Sequence, residues 1–144
     1  MADNPTYLLV VAIALRGDDG RWLMQRRPAG KHHAGLWEFP GGKVEPAETP
    51  SQALVREVRE ELGIELDPAA LRPAAFADGS RAQQGIPIVI LLYTAVHWGG
   101  TVQPLDGGEL GWFKDEMLLA LPMPPLDVVL AGQLLARADQ PAGF

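Results

Sequence analysis

Residues Gly41 to Ile64 read GGKVEPAETPSQALVREVREELGI, a glycine-rich loop that runs into a helix. Paired glycines after Pro40 let the backbone turn sharply and come close to a ligand. Thr49-Pro50-Ser51-Gln52 predicts the helix start, with Thr49 as N-cap, Pro50 at the first helical position and Gln52 closing a capping box. Leu54, Val55, Val58 and Leu62 form an apolar stripe at helical spacing, and Gly63 supplies a left-handed stop. Glu57, Glu60 and Glu61 stand at relative spacings of 0, +3 and +4, so a helix carries all three on one face. Like charges at that spacing destabilise a helix unless a cation sits among them, and hard divalent cations take carboxylate oxygens. The competing reading is a solvated acidic surface. On either reading the acidic face points away from the core, towards solvent or ligand.

The whole chain narrows the classes. Its 144 residues suit one domain spanning 1–144, with 47% apolar and 21% charged residues as in an ordinary globular protein. With no cysteine, disulfides and thiolate chemistry are excluded, which fits a cytoplasmic location. A net charge of −6 argues against stable binding to a nucleic-acid backbone, though not against a single nucleotide escorted by metal ions. The apolar run Tyr7 to Leu15 lacks a basic start, and Ile86 to Val96 is too short to span a bilayer, so neither a signal peptide nor a membrane span is expected.

In chain order, Tyr7 to Leu15 is apolar on both faces and reads as a buried central strand. The turn Gly17-Asp18-Asp19-Gly20 leads to a second strand, Arg21 to Arg26. The connection Pro28 to Gly35 carries Lys31, His32 and His33, which suit phosphate or base contact as well as solubility. A short helical turn at Pro68 to Leu71 precedes a strand around Pro73 to Ala77, and Gly79 to Gly85 reads as a loop. Ile86 to Trp98 is the longest β pattern and a second central strand. Glu109 to Phe113 is a short strand, Lys114 to Ala120 a short helix and Leu126 to Ala138 a closing amphipathic helix.

Gly42, five residues, Glu48, seven residues, then Arg56-Glu57-Val58-Arg59-Glu60-Glu61-Leu62-Gly63-Ile64 resembles the Nudix box at every position. The flanking Trp37-Glu38-Phe39-Pro40-Gly41-Gly42-Lys43 is similar to the MutT-type branch, which cleans oxidised nucleoside triphosphates from the precursor pool. The resemblance implies the Nudix fold, an α/β/α sandwich with a central mixed sheet. It also implies that Glu57, Glu60 and Glu61, with the Gly42 carbonyl, hold Mg²⁺ or Mn²⁺, and that Arg56 orients carboxylates such as Glu48 or Glu57. Glu48 is then either a structural partner or an outer ligand. Arg27, at the end of the second strand, matches the family's phosphate-contacting arginine.

For the general base, the family's downstream glutamate position falls on Asp106, one methylene shorter, with Glu109 as fallback and Glu57 as the alternative. For the base of the nucleotide, Asp127 stands where the family carries a reading Asn or Asp. An ionised Asp only accepts hydrogen bonds, so Asp127 suits a guanine N1/N2 edge or a cytosine amine unless it is protonated, and it otherwise caps the helix dipole. His32 and Phe39, the latter through its backbone, are further candidates for base contact. The first reading is an enzyme, monomer or dimer, that hydrolyses a (d)NTP to its monophosphate and pyrophosphate, with 8-oxo-dGTP as substrate. The alternatives are a CTP/dCTP-type pyrophosphohydrolase or a hydrolase of another nucleoside diphosphate derivative. A non-catalytic module that reads an oxidised base in DNA is the reading from another class, and the complete carboxylate set stands against it.

Overall fold

The apolar run at the start of the chain forms strand β1 (Leu8–Leu15) in the computed structural model, which describes residues 7–30, 34–80 and 85–138. β1 lies inside a four-stranded sheet, between β4 (Gly41–Lys43) and β6 (Pro87–Ala95), with β5 (Arg72–Ser80) at the far edge. β1 and β6 run parallel, and the other pairings are antiparallel, so the sheet is mixed as expected. A second, three-stranded antiparallel sheet places β2 (Trp22–Arg26) between β3 (Trp37–Glu38) and β7 (Glu109–Phe113). The sequence reading anticipated one sheet. The chain instead passes from β3 in one sheet to β4 in the other across Phe39 and Pro40 alone.

Helices cover both faces. Val11, Ile13 and Leu15 of β1, with Leu23 of β2, pack against α1 (Pro50–Leu62) through Ala53, Leu54, Val58 and Leu62. Ala12 and Ala14, with Trp22 and Met24, face α3 (Pro125–Ala138) through Leu130, Ala131 and Leu134. This is period-two alternation with both faces buried, which is why β1 reads as continuously apolar. Each of the larger side chains fully buried in this way contributes on the order of 1.5–3 kcal/mol.

Strands of two and three residues have no period to read, so β3 and β4 are not legible from composition. β4 exists because Gly41 has no side chain: a Cβ there would collide with the Val11 carbonyl across the β1–β4 pairing. β5 also runs further than expected, since Gly79 and Ser80 pair with Ile88 and Pro87 rather than opening the loop. The helical turn at Pro68–Ala70 is a 3-10 turn, and the short helix α2 spans Asp115–Leu118. Among the described residues no helix is long and apolar enough to cross a membrane.

The start and stop of α1 follow the sequence signals. The Thr49 side chain accepts the Gln52 N–H, the Gln52 side chain accepts the Thr49 N–H at 2.8 Å, and Gly63 takes φ 70°. Thr49→Ala is expected to lower unfolding free energy by about 1 kcal/mol. In urea denaturation the midpoint falls and the slope stays unchanged.

Candidate active site

Arg56 ties α1 to the loop before it. Its Nε and Nη2 donate to the two oxygens of Glu48 at 2.7 and 2.9 Å, a bidentate pair. Nη1 donates to Glu57 Oε1 at 2.9 Å, and Nη2 also reaches the Lys43 carbonyl at 3.1 Å. Glu60 and Glu45 stand further from Nη1, at 3.5 and 3.8 Å. Glu48 first, then Glu57, hold the guanidinium above its ordinary pKa, and Arg56 in turn holds the Glu48 carboxyl below its own. Glu48 is anchored again by the Glu45 N–H on its Oε1 at 2.9 Å, in a turn that keeps Ala47 at φ 69°. Gly42 lies against Glu57, and a Cβ on it would fall on the Glu57 carboxylate.

The three carboxylates of α1 do not share one environment, and the expectation that the acidic face points away from the core, towards solvent or ligand, is corrected for Glu61. Glu60 is exposed, Glu57 is largely covered, and Glu61 is turned inward with Oε2 buried and without a hydrogen-bond partner. Burial first, then the charges of Glu57, Asp106 and Glu38, push the Glu61 carboxyl up to about 8, with the Gly41 N–H opposing. The inward turn follows from position: Glu61 stands seven residues after Leu54 and three after Val58, both fully buried, so it lies on the helix face that meets the sheet, while Glu60 lies further round the helix.

A divalent cation fits this donor chemistry. A buried carboxylate oxygen with no partner, among like charges, is what a hard cation relieves. As the side chains stand, no three Asp, Glu or His among the described residues converge tightly enough to hold an ion. Arg56 is the positive charge that Glu57 and Glu60 meet.

Beside this cluster stand the residues expected to meet substrate. Arg27, just past β2, pairs through Nε with Glu38 Oε1 at 2.8 Å. Glu38 escaped the sequence reading, although it lies within the Trp37-to-Lys43 stretch. Burial raises its pKa, Arg27 lowers it and Asp106 raises it again. Its charge also reaches Glu61 and Asp127, so it stands electrostatically between the carboxylate cluster and the start of α3. Asp106 is exposed, and Glu109 is paired with Arg26 at 3.1 Å. Phe39 and Asp127 are both buried, and the Phe39 N–H donates to Asp127 Oδ2 at 3.1 Å. Two of the three candidates for base contact are thus bonded to each other, one from the β3–β4 junction and one from α3. His32 lies outside the described residues.

Comparison with known proteins places the chain in a family. Residues 6–131 match the family model described as the NUDIX domain. The chain belongs to the Nudix family. It is 40% identical over 136 residues to the CTP pyrophosphohydrolase of Escherichia coli K12, covering 94% of this chain and 98% of that protein. To the 8-oxo-dGTP diphosphatase of Haemophilus influenzae it is 35% identical over 129 residues, covering 88% and 90%. The solution structure of the E. coli ORF135 protein superposes with a TM-score of 0.82 at 39% identity, covering 94% of each chain. This Nudix protein is of the MutT type and acts on diphosphate bonds.

Burial, more than any other cause, pushes the Asp127 carboxyl up to about 7, with Glu38 adding to the shift and the Phe39 N–H and Arg27 opposing it. The folded protein therefore holds a proton at Asp127 that the unfolded chain, titrating near the ordinary value, gives up sooner. The contribution of Asp127 to stability falls as pH rises from about 4 to about 7. Asp127→Asn removes this dependence. Between pH 5 and pH 8 the difference in unfolding free energy is expected to move in favour of the Asn variant, and chemical denaturation at both pH values measures it.

Proposed function

We propose that the chain hydrolyses a nucleoside triphosphate to its monophosphate and pyrophosphate, with Glu57, Glu60, Glu61 and the Gly42 carbonyl holding Mg²⁺ or Mn²⁺. The bound ion supplies neutralisation of crowded phosphate oxygens, the main requirement for cleaving a diphosphate bond. The observation that carries this reading is the unpartnered, buried Glu61 oxygen beside Glu57 and Asp106. Arg56 keeps Glu57 in place while Glu48 neutralises the guanidinium, so that Arg56 is a positioning group. Arg27, ion-paired with Glu38, offers its N–H groups to phosphate oxygens. We assign the orientation of the attacking water to Asp106, whose charge bears on Glu61 and Glu38. Glu109, held by Arg26, is the weaker choice.

For the base, 8-oxo-dGTP and CTP exchange the order given by sequence. Similarity to a CTP pyrophosphohydrolase over 94% of the chain supports a cytosine nucleotide, and so does the raised pKa of Asp127, about 7, which keeps part of its carboxyl neutral near pH 7. A neutral carboxyl both accepts and donates, and it complements the amine and ring nitrogen of a cytosine edge. An ionised Asp127 complements the N1/N2 edge of guanine, and 35% identity to an 8-oxo-dGTP diphosphatase supports that second reading.

Glu57→Gln and Glu61→Gln are expected to lower kcat at least about a hundred-fold in Mg²⁺ while remaining folded. Hydrolysis at the parent rate by either variant overturns the metal assignment. A panel of ordinary and oxidised (d)NTPs, nucleotide sugars, ADP-ribose and dinucleotides, scored for pyrophosphate against phosphate release, tests the substrate. CTP or dCTP should show the highest kcat/KM, its advantage over guanine nucleotides shrinking as pH rises through about 7, and Asp127→Ala should reduce it for cytosine selectively. An equal loss for every base removes Asp127 from base reading.

A further inference from the structure

The connection from Gly99 to Gly108 is laid along the C-terminal end of α1. Glu65 and Gly99 exchange two backbone hydrogen bonds at 2.9 Å, the Gln103 N–H donates to the Leu62 carbonyl at 2.9 Å, and the Leu105 N–H donates to the Glu61 carbonyl at 3.0 Å. Those two carbonyls are among the last four of the helix, which have no partner within it. The connection thus supplies bonds that a helix end otherwise finds in water. At its far end Gly108 lies so close to the Arg26 carbonyl that a Cβ would stand 2.6 Å from it. Between these fixed points lies the tip, Asp106 and Gly107, the latter at φ 81°.

Leu105 is a large apolar residue left 55% exposed. Its side chain is nonetheless placed. Cδ1 sits over the bare face of Gly63, 3.1 Å from where a Cβ would be, and Gly63 is the residue that ends α1. A half-exposed leucine contributes little to the core, but here it seats the connection on the helix that carries the carboxylate cluster. Asp106, the next residue, is close enough for its charge to be felt at both Glu61 and Glu38.

We infer that Leu105 is a positioning residue: seated on Gly63 and bonded through its N–H to the Glu61 carbonyl, it holds Asp106 at the α1 carboxylates. The inference rests on the reading of Asp106 as the group that orients the attacking water. Loss of the seat displaces Asp106, and small displacements of a positioned group are costly in rate. A substrate held by Arg27 and the base contacts is unaffected.

Four variants of the full chain test this: Leu105→Ala, Leu105→Met, Asp106→Asn and the Leu105→Ala/Asp106→Asn double variant. Each is assayed in Mg²⁺ for kcat and KM on its best nucleotide, with melting temperature alongside. Leu105→Ala is expected to lose roughly ten- to a hundred-fold in kcat, with KM and melting temperature near the parent values, and Leu105→Met to recover most of the loss. In the Asp106→Asn background, Leu105→Ala should cost nothing further, because the two act through one group. An unimpaired Leu105→Ala beside a slow Asp106→Asn overturns the inference alone, as does an equal loss in both backgrounds. A parental rate in Asp106→Asn overturns the reading of Asp106, and the inference with it.

Discussion

One guanidinium governs the geometry of the site. Arg56 is gripped by Glu48 from the loop and itself grips Glu57 on the helix, so that the glycine turn and α1 behave as one rigid piece. Without that clamp the Glu45–Glu48 turn, with Ala47 in a left-handed conformation, has less to hold it. Gly42 then loses its register against Glu57. The pair is worth more than an exposed ion pair because its geometry is bidentate and Glu48 and Arg56 are largely covered. It fixes where carboxylates stand, which matters more here than the net energy of the bonds.

The second theme is stored repulsion. The charges of Glu57, Asp106 and Glu38 all bear on Glu61, and the fold buries part of that charge instead of dispersing it. Arg27 and Arg56 offset two members, leaving Glu61 as the least compensated. Such a site is poised for a cation, since binding relieves a strain that folding has already imposed.

Much of this was legible beforehand because local rules and tertiary demands agree along α1. The capping box, apolar stripe and glycine stop each predict the same helix, and β1 and β6 are long enough for their apolar runs to be read. What escaped is what depends on contact between distant segments. β3 and β4 exist through pairing, not propensity. The inward turn of Glu61 depends on where α1 meets the sheet. Glu38 looks like a residue next to a motif until Arg27 folds onto it, and the bond between Phe39 and Asp127 joins residues 88 apart in the chain.

The passage between the two sheets, only Phe39 and Pro40, divides the labour of the site. The groups suited to metal belong to β4 and α1, whereas Asp127 sits on α3 and is bonded to the Phe39 amide. Mutation can therefore wander across the start of α3, trying one nucleobase after another, while the metal-holding half is inherited intact. A scaffold divided at a two-residue seam is well suited to gene duplication followed by a change of substrate.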